Sequence, residues 1–284
     1  MTGFELHAWR IRIRALENLE LPCLPTVALR SVTGMALREM SCVRRERTSC
    51  GGCPEQEDCV YSRLVEPAGK GQSPGVTDVA PPPLVMAPEA RTLDDAPIRL
   101  SKGATIDVRA VFMGGARVHA SLWLTALRSG LARGVGKERR ALEVVDAQPL
   151  DVTFCAAGKK AEIELWTPLR AQKPGEIRSR FEAGDFVQGL MHRVTLLSET
   201  YRLTRPAGFS EDSVRLKHCD GRVIHVRRWS GRQKASMNLP GLTGTLVLEG
   251  ELEGLWPWLA LGEWVQMGKG TSMGFGRYRL RAIG

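Results

Sequence analysis

The chain has 284 residues, 43% of them hydrophobic and 25% charged, which suits one large or two ~100–150-residue globular domains and excludes a disordered polymer. No apolar run reaches the ~18–20 residues of a membrane span, and arginines interrupt the first apolar stretch as no secretory leader would allow, so a cytoplasmic protein is expected. Forty Lys and Arg against thirty-one Asp and Glu leave a net charge of +9, pointing to polyanionic partners, nucleic acid before membrane.

In chain order, "FELHAWRIRIRA" alternates Trp9, Ile11 and Ile13 with Arg10, Arg12 and Arg14, which predicts a strand. "LPTVALRSVTGMALREM" spaces Val27, Leu29, Met35, Leu37 and Met40 as a helix face, with Pro25 in the first turn. After a cysteine-rich loop, "CVYSRLVEP" supplies the second strand. The following "EPAGKGQSPGVTDVAPPPLVMAPEA" is too rich in Pro and Gly for a core element. "ATIDVRAVFMG" then reads as a strand, "VHASLWLTALRSGLA" as a helix, and "RGVGKERRALEVVDA" as a glycine turn into a strand.

The second half repeats this order. "KAEIELWTPL" is a strand, and "GDFVQGLMHRVTLLSETYRL" is a helix with Phe186, Leu190, Val194 and Leu197 in register. "RVIHVRRWS" and "LTGTLVLEGEL" are strands around the loop "GRQKASMNLPG"; "LWPWLALGEWVQM" is a short helix, and "GFGRYRLRAI" a last alternating strand. Each half therefore reads β-α-β-β-α-β, the split-βαβ pattern of an α+β protein with two tandem ferredoxin-like (RRM-like) domains. These span 1–150, with a cysteine insertion at 42–59 and a Pro/Gly-rich loop at 66–97, and 151–284, with a glycine-rich loop at 268–276. "LARGVGKERRALEV" and "VQMGKGTSMGFGRYRL" both run helix, glycine turn, Arg, strand, as a distant duplication would leave them.

Cys42, Cys50, Cys53 and Cys59 form C-x7-C-x2-C-x5-C, and four thiols this close point to a metal: structural zinc first, a 4Fe–4S cluster second, free thiols third. Cys23, Cys155 and Cys219 are scattered and read as packing residues. In "GKGTSMGFG" the order is helix to strand, the reverse of a Walker A loop. Its backbone N–H groups, with Lys269 and Arg277, could instead cradle a phosphodiester backbone. Alternation turns Tyr278, Leu280 and Ala282 inward and Arg277, Arg279 and Arg281 outward. The hairpin "HVRRWSGRQKASM" interleaves Arg227, Arg228, Arg232 and Lys234 with Trp229, cations for phosphate and an indole for stacking; the alternative is Trp229 packed in the core.

Four of these stretches together resemble the CRISPR-associated endoribonucleases that process precursor CRISPR RNA, the Cas six family of the RAMP superfamily. "GKGTSMGFGRYRL" is similar to the family's glycine-rich loop, and "RWSGRQKASMNLPGLTGTLVLEG" to its hairpin. "SCVRRERTSCGGCPEQEDCVYSRLVEPAG" is similar to the four-cysteine insertion of one branch. "PIRLSKGATIDVRAVFMGGARVHASLWLTALRSGLARGVGKERRALEV" is similar to that branch's central region.

The resemblance implies paired ferredoxin-like domains that grip a CRISPR repeat RNA, cleave it by metal-independent 2′-hydroxyl attack, and retain the mature RNA in an effector complex with other CRISPR subunits; no membrane partner is expected, since the sequence shows no basic amphipathic anchor. It also implies, in many members, a histidine base on or near the first helix. That helix here offers Arg30, Ser31 and Arg38 but no histidine. His225, sharing a strand face with Arg227 and Trp229, is the first candidate for the base and His192 the second, with Arg30 and Arg38 to steady the phosphorane. A catalytically inactive RNA-binding subunit is the alternative.

Overall fold

The computed structural model describes residues 4–69, 80–170, 183–209, 214–230 and 235–284; Arg232 and Lys234 lie outside them. β1 (Leu6–Ala15) follows its alternation, with Ile11 and Ile13 buried and Arg10, Arg12 and Arg14 exposed. After β2 (Leu19–Leu21), α1 (Thr26–Ser41) buries Val27, Leu29, Val32, Ala36 and Leu37. This corrects the expected face: Met35 is 59% exposed and Met40 41%. Steps of three and four from Leu29 reach Val32, Ala36 and Leu37, and Met35 falls outside that stripe.

Two further corrections concern the second strand. Within "CVYSRLVEP" the chain folds as α2 (Val60–Val65), a helix that buries Ser62 and Leu64. The strand is β3 (Leu84–Pro88), drawn from the Pro/Gly-rich segment and buried at all five residues. It lies at the sheet edge, where a proline removes a donor that the ladder does not need. β4 (Ile98–Leu100) pairs with β2, and β5 (Thr105–Met113), α3 (Ala120–Ala132) and β6 (Leu142–Leu150) complete the first unit. Its antiparallel sheet runs β3-β5-β1-β6.

The second unit comprises β7 (Lys160–Leu169), α4 (Ala183–Tyr201), β8 (Val214–Ser230), β9 (Ala235–Gly250), α5 (Trp256–Val265) and β10 (Tyr278–Ile283). Its sheet runs β10-β7-β9-β8, and with the first sheet it gives the chain two ferredoxin-like folds in tandem. On α4, Phe186, Leu190, Val194 and Leu197 are fully buried as the spacing predicts, each worth roughly 1.5–3 kcal/mol of burial. Residues 235–241, expected as loop, extend β9, which pairs with β8 from Val214↔Gly250 to Ser230↔Ala235. Ala282, expected to face inward, is exposed near the end of β10.

The units are packed together. One face of the first sheet, with Ile11, Val108 and Phe112, lies under α1 and α3. From the other face, Ala8, Val85, Val111 and Met113 join the core of the second unit. The far half of the β8–β9 hairpin reaches α1, where Val226 and Leu239 bury against Cys23, Leu24, Val27 and Phe275.

Candidate nucleic-acid interface

The glycine loop is built around backbone contact at the start of α1. Gly268, Gly270, Gly274 and Gly276 all hold positive φ, between 74° and 100°. Thr26 Oγ1 donates to the Met273 carbonyl at 2.8 Å. A Cβ on Gly274 would stand 2.1 Å from Thr26 Oγ1, and one on Gly276 1.8 Å from the Met267 carbonyl oxygen. Only glycine tolerates both the dihedral and the approach. Lys269 stays exposed, with its backbone N–H on the Arg170 carbonyl.

Arg277 departs from the expected outward stripe and is buried. Its guanidinium donates to the Pro88 carbonyl and to Glu89 at 2.9 Å, and it lies over the Trp166 ring at 4.6 Å. Arg109 shares Glu89 at 3.9 Å, donates to the Glu263 carbonyl at 2.7 Å and lies over Trp264 at 4.4 Å. Burial, then the charge of Arg277, pushes Arg109 down to about 9. Alternation could not show this, because Arg277 falls one residue before β10 and is covered there by β3 and Trp166. Arg277 thus joins the two units. The other arginines of both stripes are exposed, and several are paired across strands: Arg12 with Asp107, Arg14 with Glu143, and Arg281 with Glu162.

A different pair of cations lies within one another's field, one on α1 and one on β8. Arg30, partly buried on the helix, is pushed below its ordinary value by burial and then by the charge of Arg228 on β8. Arg228 is itself lowered by burial, and its Nε is buried without a hydrogen-bond partner. Among the described residues neither guanidinium makes an ion pair, although Glu66 and Tyr61 lie within the field of Arg30. Thr33, Gly34 and Ser272 of the glycine loop line the small cavity beside Arg30. Strand pleating explains the pairing: Val226 and Arg228 share the face turned toward α1. Nothing local in the sequence connects Arg30 to Arg228.

His225, Arg227 and Trp229 occupy the opposite face of β8, so the structure separates His225 from Arg30. The His225 Nδ1 meets the Asn238 amide at 3.0 Å, and its backbone N–H donates to Asp95 at 3.2 Å. Asp95, Pro97, His225, Arg227 and Asn238 line an open hollow. Trp229 is 65% exposed, which removes the core-packing reading. His192 is also exposed, on α4.

Arg38, expected beside Arg30, is turned to another task. Two helical turns further along α1, it donates to the carbonyls of Arg45 and Arg47 and lies over Tyr61 at 5.8 Å. It thereby organises the cysteine loop. Cys42, Cys50, Cys53 and Cys59 are unpaired and line one cavity. Burial first, then the neighbouring charges, pushes the Cys50 thiol up to about 11. As the side chains stand, no three His, Cys, Asp or Glu among the described residues are grouped closely enough to hold an ion. No described helix is long and apolar enough to cross a membrane.

Residues 163–278 match the family model described as CRISPR-associated endoribonuclease Cas6, and residues 4–162 match the AF_1859_N family model, described as an N-terminal domain. No curated protein matches the chain. Among solved structures, a Cas6 product complex is 15% identical, covers 97% of this chain and 98% of its own, and has a TM-score of 0.57. A Thermus thermophilus Cas6 is 12% identical over 99% of each chain, with a TM-score of 0.55. A RAMP protein described as binding different RNA substrates is 13% identical, covers 96% of this chain and 99% of its own, and has a TM-score of 0.52. At these identities the structural likeness establishes the fold.

Proposed function

The chain belongs to the CRISPR-associated endoribonuclease Cas6 family, and from that premise we propose that it binds precursor CRISPR RNA, cleaves it within the repeats and retains the product for an effector complex. The observation that carries this reading is the Arg30–Arg228 junction, where each unit contributes a partly desolvated cation that makes no ion pair among the described residues. An RNA phosphate seated there would relieve the repulsion between them.

In this reading the ribose O2′ loses its proton and bonds to the adjacent phosphorus. The P–O5′ bond breaks, and O5′ leaves with a proton, giving a cyclic phosphate and a free hydroxyl end. Negative charge grows on the phosphorane oxygens, which two guanidiniums can receive by charge-assisted hydrogen bonds. The nucleophile comes from the RNA itself, and the reading assigns no catalytic metal. Trp229 and Arg227 on the exposed face of β8, with Lys269 on the glycine loop, would hold flanking nucleotides by stacking and phosphate contact. Arg232 and Lys234 extend that basic run in sequence.

A second reading is a subunit that binds CRISPR RNA without cutting it. It is favoured by the histidines, since none of the five lines the cavity beside Arg30. Incubation with repeat RNA in EDTA separates the two. Cleavage that leaves a cyclic phosphate, and that stops when the nucleotide 5′ of the cut carries deoxyribose, supports the enzyme. Tight binding without product leaves only the second reading.

A further inference from the structure

We propose that residues 42–59 form a structural zinc site, with Cys42, Cys50, Cys53 and Cys59 as the four ligands. None of these eighteen residues is buried, so the insertion has no hydrophobic core of its own. Ordering a chain costs about 1–2 kcal/mol per residue in backbone entropy, and a segment without a core needs some other source of stability. What the segment gathers at its centre is thiols. All four cysteines line a single cavity of ≈ 20 Å³, room for one small species.

The backbone prepares two of them as a pair: the Cys53 N–H donates to the Cys50 carbonyl at 3.0 Å, closing a tight turn between the ligands. The other two leave hydrogen-bonded turns, with the Cys42 N–H on the Arg38 carbonyl and the Cys59 N–H on that of Glu55, each at 2.9 Å. The wall of the cavity carries Arg38, Arg44 and Arg47 against one carboxylate, Glu55. With Glu66 also accepting from the Cys50 N–H at 3.2 Å, the arginines keep only a small positive excess beside four thiolates, whose charge exceeds that of Zn²⁺ by two. The thiols line one hollow, and metal binding would draw this exposed loop inward as it displaces the thiol protons.

The test uses the full chain purified without chelators. Elemental analysis should find about one zinc per chain, as a closed site of four thiolates requires. Titrating the thiols of the wild-type protein with a mercurial should release that zinc in step with four cysteines. Release should raise the rate of tryptic cleavage at Arg44, Arg45 and Arg47 by about tenfold or more while the circular dichroism of the domains is kept. Cys50→Ser/Cys53→Ser should lose the metal. Wild-type protein with less than about 0.1 equivalent of zinc after zinc-supplemented expression overturns the proposal, as does iron with acid-labile sulfide in its place. The mercurial titration is read on unmutated protein, so a variant that fails to fold leaves the result standing.

Discussion

Burial, and then the charge of Arg228 on the hairpin, lowers the proton affinity of Arg30 on the first helix, and no ion pair among the described residues relieves either guanidinium. Two like charges held together in a partly dry junction destabilise the empty protein and favour an anion. Arg228→Met should therefore keep or raise the melting temperature while lowering single-turnover cleavage by about 10²–10³-fold, the usual loss for one transition-state donor. Arg30→Met should behave alike. A variant that melts lower and cleaves normally would make the pair structural.

Gly34 lies mid-helix beside Arg30, and a Cβ there would meet nothing within 4 Å. Gly34→Ala should stabilise the chain by about 1 kcal/mol, the gain of alanine over glycine in a helix. Because the new methyl group narrows the cavity beside Arg30, cleavage should fall even as stability rises. Gly274→Ala should do the reverse in stability: its φ of +100° and the clash with Thr26 Oγ1 should cost about 1–3 kcal/mol or more. Thermal unfolding beside single-turnover cleavage reads both. Equal stability changes for the two variants would contradict the packing described for the loop.

Much of the fold was legible because it is local. The alternation of β1, the strand "KAEIELWTPL" and the buried stripe of α4 are each dictated by neighbours within a few residues. β3 was hidden because its proline sits at a sheet edge, where it costs no ladder bond, and because its partner β5 follows only after β4 has paired elsewhere. The site was legible in kind and not in geometry. Arg30 and Lys269 could be singled out as cations, but the partnership of Arg30 with Arg228 depends on a hairpin from the second unit crossing onto α1. The burial of Arg277 likewise depends on β3 and Trp166, which no periodicity in the last strand can report.

Arg277 and Lys269 were paired in the sequence as two phosphate contacts and should now separate by experiment. Arg277 is 6% exposed and bound to Glu89, so Arg277→Met leaves a largely buried carboxylate with poorer compensation and should cost about 3–5 kcal/mol. Lys269→Ala should leave the melting temperature unchanged, weaken RNA binding, and reduce the slope of log affinity against log salt by about 0.7–0.9. An unchanged salt slope would remove Lys269 from the interface.

Acid should weaken the first sheet through Asp107. The hydrogen bond from Arg12, at 2.8 Å, and then the charge of Arg12 hold its carboxyl below the ordinary 3.8. A carboxyl lowered in the folded state stabilises fully above its unfolded value, and that contribution is lost as pH falls through the folded value. Asp107→Asn should therefore lower the melting temperature at neutral pH, and the two proteins should converge as pH falls through the folded value. A constant difference across that range would show that the pair acts through packing.

His225 sits on the face of β8 turned away from Arg228, with its ring on Asn238 in an open hollow. If the scissile phosphate lies at the arginine junction, His225 contacts RNA away from the cut. His225→Ala should then raise the RNA concentration needed for half-saturation while leaving the saturating rate within about threefold, the signature of lost uniform binding. A fall in the saturating rate of about 10²–10⁴-fold, with loss of the acid limb of the pH–rate profile, would identify His225 as the general base. It would also move the reaction to the outer face of the hairpin, because one β strand cannot present opposite faces to the same phosphate.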